Sequence, residues 1–271
     1  MSTLLRTSAI FLVVLVCGCT GQLADKYYNN GIAKYALGDY NGALQEYTSA
    51  IKYNSEYAEA YYNRGLVKGA LGDSMGAISD YSKAIKIKPG FSDAYIARGN
   101  ARVSFGDFHG ALNDYNKVVE INPDITLIML KRGIAKSGLH DYKGAISDFS
   151  KVIEINPNDP EAYLIRGKAK ENHSDFKQAI KDYDKAIEIN PRDLNSYNQR
   201  AFCKIELHDF MGALKDSESA LDLAPENSEA INTLAIAEYN LGNTAVACTD
   251  WKKAAELGNE KAKEAYNKFC K

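Results

Sequence analysis

Histidine and cysteine are the residue types in this chain that could hold a metal ion or form a covalent bond. The four histidines are His109, His140, His173 and His208, and they stand about one 34-residue period apart. His140 and His208 occupy the same position of a recurring turn, and His173 lies one place before it. Side chains spaced in this way follow a ridge of turns and do not converge. We therefore expect surface histidines, no metal site and no cofactor.

Two cysteines near the end of the chain could form a disulfide bond. Cys248 lies near the start of one predicted helix, and Cys270 lies near the end of the next. The turn at Gly258 and Asn259 is almost midway between them, so an antiparallel hairpin brings the two sulfurs level. An exported protein permits this bond, which would stabilise the fold by about 3 kcal/mol. Cys203 takes a position that is alanine in other repeats, so we expect it in the core.

Arginine and aspartate each recur at a fixed spacing. The two series are Arg64, Arg98, Arg132, Arg166 and Arg200, and Asp80, Asp114, Asp148, Asp182 and Asp216. We expect a ladder of ion pairs that fixes how helices stack; the alternative is that the arginines face a ligand. No Ser–His–Asp grouping and no glycine-rich phosphate loop is found. The formal net charge of −2, without a long charged run, argues against a nucleic-acid partner.

These residues recur with a period of 34 residues, so the structural unit that repeats with this period must position them. One series of small residues is Gly31, Gly65, Gly99, Gly133 and Gly167, continued by Ala201 and Ala235. A second is Ala43, Ala77, Ala111, Ala145, Ala179, Ala213 and Ala247, with an aromatic residue four places later in most repeats. Small residues let two helices approach closely, and the aromatic ring fills the space beside that contact. Pro89 and its equivalents follow the second helix, which proline cannot continue.

This pattern resembles the tetratricopeptide repeat, seven times over. The resemblance implies an all-α fold, a right-handed superhelical solenoid of helix-turn-helix repeats. The predicted repeats are 24–57, 58–91, 92–125, 126–159, 160–193, 194–227 and 228–261, and a capping helix follows over 262–271. Each helix pair has an apolar face that only stacking against its neighbours can bury.

By resemblance to the family, partners bind the concave face formed by the first helix of each repeat. Projecting the period onto these helices gives a predicted groove of Tyr28, Ile32, Tyr62, Leu66, Ile96, Asn100, Leu130, Ile134 and Leu164, and the apolar run 125–130 adds Leu127. The last two repeats place more polar residues in the same rows, among them Asn198 and Asn232. The alternative is that several of these side chains only pack between adjacent helices.

The first residues form a different kind of segment. Arg6 precedes an uninterrupted apolar run, residues 9–16, and small residues follow; this layout is typical of a secretory signal. The residues before Cys19 resemble a bacterial lipoprotein signal, which implies a signal peptide over 1–18, lipidation of Cys19, and a short tether over 19–23. Cys17 departs from that motif. The alternative is an ordinary signal that is cut between Gly18 and Ala24.

These features predict a non-catalytic scaffold of the bacterial cell envelope, exported and attached to the membrane by lipid. Its expected partners are one or more proteins or peptides, with no small-molecule substrate. Repeats and cap account for nearly every residue after the signal, which leaves no stretch of the size of a catalytic domain. The alternative function is a peptide- or glycan-binding accessory subunit of a pilus, secretion or nutrient-uptake assembly.

Overall fold

Each 34-residue period folds into two packed helices, which we call helix A and helix B. The computed structural model describes residues 20–122 and 126–270. The predicted signal peptide, Cys19 and Pro123 lie outside the described residues. No β-strand occurs in the described ranges, and none of their helices is both long and apolar enough to cross a membrane. The expectation of an all-α repeat solenoid is confirmed.

The helices alternate A and B along the chain, and a single terminal helix follows. They are α1 (20–36), α2 (Tyr40–Tyr53), α3 (Ala58–Ala70), α4 (Ser74–Ile87), α5 (Ser92–Ser104), α6 (Phe108–Ile121), α7 (Thr126–Gly138), α8 (Tyr142–Ile155), α9 (Pro160–Asn172), α10 (Phe176–Ile189), α11 (Leu194–Glu206), α12 (Phe210–Leu223), α13 (Ser228–Asn240), α14 (Thr244–Glu256) and α15 (Glu260–Phe269). Residues 20–23 of the predicted tether belong to α1, and α15 begins two residues before the predicted boundary of the cap. The described residues divide into two compact units, a first unit that ends at Lys131 and a second unit that begins at Arg132.

The turn between helix A and helix B has the same local chemistry in most repeats. Gly72 adopts φ +84°, a left-handed conformation that a Cβ disfavours, and so ends α3. Asp73 then caps α4, since its carboxylate accepts a hydrogen bond from the N–H of Gly76 at 2.9 Å. His140 and His208 adopt φ 60° at the glycine position, where a non-glycine residue is uncommon.

Helix A and helix B touch at the small residues. In the first unit, a Cβ on Gly99 would lie 2.6 Å from the ring of Tyr115. Tyr115 is 1% exposed, and Ala111, one turn earlier on the same helix, is fully buried. The glycine series is therefore required by an aromatic ring packed directly against the backbone of helix A.

The terminal helix covers the end of the second unit. Ala262 of α15 is fully buried in a cluster with Ile231 of α13 and Trp251 of α14. Phe269 stacks on Trp251, with ring centroids 5.8 Å apart. Cys248 and Cys270 are joined by a disulfide bond, with their Cα atoms 5.6 Å apart.

Candidate partner-binding site

The recurring arginines and aspartates are used inside the repeats. In the second unit, Arg200 donates to both oxygens of Asp216, at 2.8 and 2.6 Å, and Lys204 approaches the same carboxylate at 2.7 Å. Asp216 is 2% exposed. The arginine also reaches the preceding repeat, where it contacts Asp184 at 2.6 Å. One cation thus holds helix A to its own helix B and to that of the repeat before.

The ion pair between helix A and helix B of one repeat occurs in five repeats. The predicted pairs are Arg64–Asp80, Arg98–Asp114, Arg132–Asp148, Arg166–Asp182 and Arg200–Asp216, each with a contact of 2.6 or 2.7 Å. The second cation is Lys68, Arg102, Lys136, Lys170 or Lys204. This second cation was not predicted, although it recurs at the same 34-residue spacing and is visible in the sequence. These buried pairs support the structural role of the ladder over a ligand-facing one.

In the first unit, the aromatic residues of the predicted groove lie partly buried between helices. The ring of Tyr28 packs against Tyr57 at 4.8 Å, and its hydroxyl accepts a hydrogen bond from Asn63 at 3.0 Å. Tyr62 packs against Phe91 at 5.0 Å. Contacts with neighbouring helices and turns therefore cover much of the side-chain surface of both tyrosines.

The other predicted groove residues differ in exposure. Ile32 is 43%, Leu127 54% and Ile134 42% exposed. Partly buried are Leu66, Ile96, Asn100, Leu130 and Leu164. The Asn100 side chain accepts a hydrogen bond from the hydroxyl of Tyr115 at 2.9 Å, so its oxygen is already engaged in the repeat. Partner binding by these residues stays a prediction.

A cleft opens in the second unit, on the helix A side of its last two full repeats. Its volume is about 560 Å³, and it lies between α11, α13 and the turn that begins α15. Phe202, Ile205 and Ile236 supply its apolar surface, and Glu206 and Glu229 supply carboxylates. The groove predicted from the sequence lies mainly in the earlier repeats, and for this end the sequence indicates only a more polar surface. The change from apolar residues to Asn198 and Asn232 in one helix A row is the feature of the sequence that marks this end.

Two asparagines of that row are almost fully buried. Asn198 is 4% and Asn232 is 8% exposed. The Oδ1 atoms of both have no hydrogen-bond partner among the described residues. The Nδ2 of Asn198 donates to Asn227 at 3.3 Å, whereas Asn232 lines the cleft. A buried amide oxygen without a donor is costly, and buried polar groups in native proteins are usually paired.

A partly buried carboxylate, that of Glu171, lies on the same helix A side. Glu171 accepts hydrogen bonds from the Tyr183 hydroxyl at 2.7 Å and from the Cys203 thiol at 3.6 Å. Burial raises the pKa of Glu171 above its usual range, and the charge of Glu229 adds to this rise. Burial and the carboxylate of Glu171 also raise the pKa of the Cys203 thiol. Cys203 is therefore protonated at neutral pH, so it is not a reactive nucleophile.

Sequence comparisons identify the repeat. A family profile described as "TPR repeat" matches residues 31–72. Profiles described as "Tetratricopeptide repeat" match 58–91 and 160–193, 182–215, and 92–125. These matches together span 31–125 and 160–215, which is more than half of the chain. No curated protein matches the sequence.

Solved structures share the fold at low sequence identity. A tetratricopeptide repeat protein from Parabacteroides merdae is 21% identical, with a TM-score of 0.68, and the match covers 93% of this chain and 100% of that one. The C-terminal part of a TPR repeat-containing protein from Cytophaga hutchinsonii is 18% identical, with a TM-score of 0.69 and coverage of 88% and 98%. YrrB, titled a TPR protein with an unusual peptide-binding site, is 22% identical, with a TM-score of 0.60 and coverage of 68% and 95%.

Proposed function

Since the chain belongs to the tetratricopeptide repeat proteins, we propose that it is a non-catalytic scaffold that binds a protein or peptide on its helix A side. The observation that carries this proposal is the open cleft between α11 and α13, with a volume of about 560 Å³. The charged residues of the ladder are engaged inside the repeats, but the cleft offers both apolar and polar groups to a ligand. The peptide-binding site named for YrrB supports the same use of the fold.

The proposal places this scaffold at the bacterial cell envelope, exported and attached through lipid on Cys19. Two features of the chain support export. One is the apolar run before Cys19, and the other is the Cys248–Cys270 disulfide bond, because such bonds persist in oxidising compartments. Attachment at Cys19 would hold the first repeat close to the bilayer, since residues 20–23 are the start of helix α1 and four helical residues span only about 6 Å.

The test combines localisation with partner capture. Intact protein and a Cys19→Ala variant are expressed in a bacterial host that carries out lipoprotein processing, and membrane and soluble fractions are compared. Mild crosslinking and affinity purification then identify partners. We expect the intact chain in the membrane fraction and the variant in soluble form. Membrane association that survives Cys19→Ala would contradict the anchor.

A matched pair of variants tests the helix A side. Phe202→Ser removes a 40% exposed apolar side chain from helix α11, and Met211→Ser removes a 64% exposed one from helix α12. We expect a specific partner to be lost with Phe202→Ser and retained with Met211→Ser, with unchanged circular dichroism for both. Equal capture by both variants would show that the partner binds elsewhere, and absence of any specific partner would contradict the scaffold itself.

A further inference from the structure

The cleft of the second unit has an apolar floor under acidic groups. Phe202 and Ile205 of α11 and Ile236 of α13 form the apolar part, and Phe202 is 40% exposed. Glu206 ends α11, and Glu229 lies in the first turn of α13. A ligand that fills this space must therefore present both hydrocarbon surface and a polar end.

The charges around the cleft are unbalanced. Glu206, Glu229, Glu260 and Lys261 line it, so carboxylates outnumber ammonium groups by two. Glu260 forms an ion pair with Lys263 at 3.2 Å. In the described part of the chain, neither Glu206 nor Glu229 is within ion-pair distance of a cation. Lys261 also lines the cleft, but Glu206 and Glu229 together still outweigh its single positive charge. This excess of negative charge favours a cationic ligand, because a carboxylate attracts positive charge over several ångströms.

Asn232 adds an unsatisfied acceptor at the same place. It is 8% exposed, it lines the cleft, and its Oδ1 has no hydrogen-bond partner among the described residues. In the structure this oxygen is buried, so the amide must make a half-turn to present it to a donor that enters the cleft. Lysine and arginine carry only donors at their charged ends.

From these observations we propose that the cleft binds a lysine or arginine side chain of the partner's bound segment. This inference rests on the proposed scaffold function. The aliphatic stem packs along Phe202 and Ile236, and the charged end lies near Glu206 and Glu229 with an N–H donated to Asn232. Lysine and arginine side chains have an apolar stem and a charged end. The stem suits the apolar residues of the cleft, and the charged end suits its carboxylates. An acidic segment would be repelled by the same carboxylates.

The test uses three fluorescein-labelled peptides and the purified full chain. The probe is Gly-Ser-Leu-Arg-Leu-Arg-Ser-Gly, and in the two comparison peptides both arginines are replaced by glutamine or by glutamate. Fluorescence anisotropy is measured at low and high salt. We expect the arginine peptide to bind at least about tenfold more tightly than the glutamine peptide, and the glutamate peptide more weakly still. Salt should reduce the preference.

A charge-matched pair of variants locates the effect. The cleft variant is Glu206→Gln with Glu229→Gln. The control is Glu154→Gln with Glu218→Gln, which removes two exposed carboxylates from helices α8 and α12 of the same unit. We expect the cleft variant to lose the preference for arginine and the control to retain it, with equal thermal unfolding. Asn232→Leu should also weaken arginine binding, by about tenfold.

Equal or undetectable binding of the three peptides, or equal loss in both double variants, would overturn the inference. The partner-capture experiment then separates the two proposals. If a specific partner is lost with Phe202→Ser but remains with the Glu206→Gln, Glu229→Gln variant, the scaffold function stands and basic recognition fails. If no specific partner is captured, the scaffold function itself fails.

Discussion

The charged ladder predicts different effects for two aspartates that contact the same arginine. Arg200 binds Asp216 through two nitrogens and Asp184 through one. The side chain of Asp216 is 2% exposed, and that of Asp184 is 53% exposed. Asp→Asn at either position removes one negative charge from the arginine with almost no change of shape. The two substitutions therefore differ in the burial of the carboxylate and in the number of its contacts with cations, which are three for Asp216 and one for Asp184.

We expect Asp216→Asn to lower the free energy of unfolding of its repeats by about 3 kcal/mol. Removing one partner of a buried ion pair costs about 3 to 5 kcal/mol. The lower end applies because the side chains of Arg200 and Lys204 are 16% and 18% exposed and can be partly rehydrated. Asp184→Asn should cost less than about 1 kcal/mol, as exposed pairs do.

The assay is urea unfolding followed by circular dichroism, together with hydrogen exchange of α11 and α12. Exchange is included because the stability of a repeat array is distributed among neighbouring repeats. Equal effects of Asp216→Asn and Asp184→Asn would refute the argument from burial. Loss of partner binding with unchanged stability in Asp216→Asn would instead assign the ladder to ligand recognition.

Three other changes test the turn, the disulfide bond and a titrating carboxylate. Gly72→Ala should lower the free energy of unfolding by about 1 kcal/mol, because the residue at this position has a positive φ. Gly69→Ala lies inside a helix with open space around it, so it should raise the free energy of unfolding by about 0.5 to 1 kcal/mol. Urea unfolding measures both. Reducing the Cys248 bond, which closes a separation of 22 residues, should cost about 3 kcal/mol in the same assay. Burial acts to raise the pKa of Asp148, but hydrogen bonds from Arg132 and Lys136 outweigh it and lower that pKa. The ionised Asp148 should therefore contribute all of its stabilisation above about pH 4. This stabilisation should be lost as the pH falls through the pKa that Asp148 has in the folded protein.

Each of these expectations has a control. Equal signs for Gly69→Ala and Gly72→Ala would refute the assignment of strain to the turn. A reductant should lower the urea midpoint of the native chain and leave a Cys248→Ser variant unchanged; full thiol reactivity of the unfolded, unreduced chain would exclude the bond. For Asp148, the stability gap between the native chain and Asp148→Asn should narrow below about pH 4. A gap independent of pH would contradict the lowered pKa.

Much of the fold follows from the sequence because its requirements repeat every 34 residues. Gly99 is needed where the ring of Tyr115 meets helix A, and Asp73 is needed where α4 begins. Such local requirements recur at one spacing, so the helix pairs can be predicted from one chain. The second cation of the ladder repeats as well, and it could have been predicted by projecting Lys68 onto the other repeats.

The site could not be predicted in the same way because its position depends on departures from the repeat. One helix A row has Tyr28 and Tyr62 in the first repeats and Asn198 and Asn232 in the last full ones. A tyrosine in this row packs against neighbouring rings, whereas the oxygens of both asparagines are left without a partner among the described residues. Whether that exchange leaves a cleft depends on the adjoining turn into α15, which has three residues where the equivalent turns into α11 and α13 have four.

The positions that repeat and those that do not therefore have different roles. Residues that every stacked pair needs, such as Arg200 and Asp216, recur because the same interface recurs. Asn232 satisfies no such need, and its buried oxygen is a cost to the fold. A cost of this kind at the wall of an open, acidic cleft is offset when the amide turns its oxygen towards a donor that a ligand brings into the cleft. The search for the partner should therefore begin with basic segments and with the last repeats of the array.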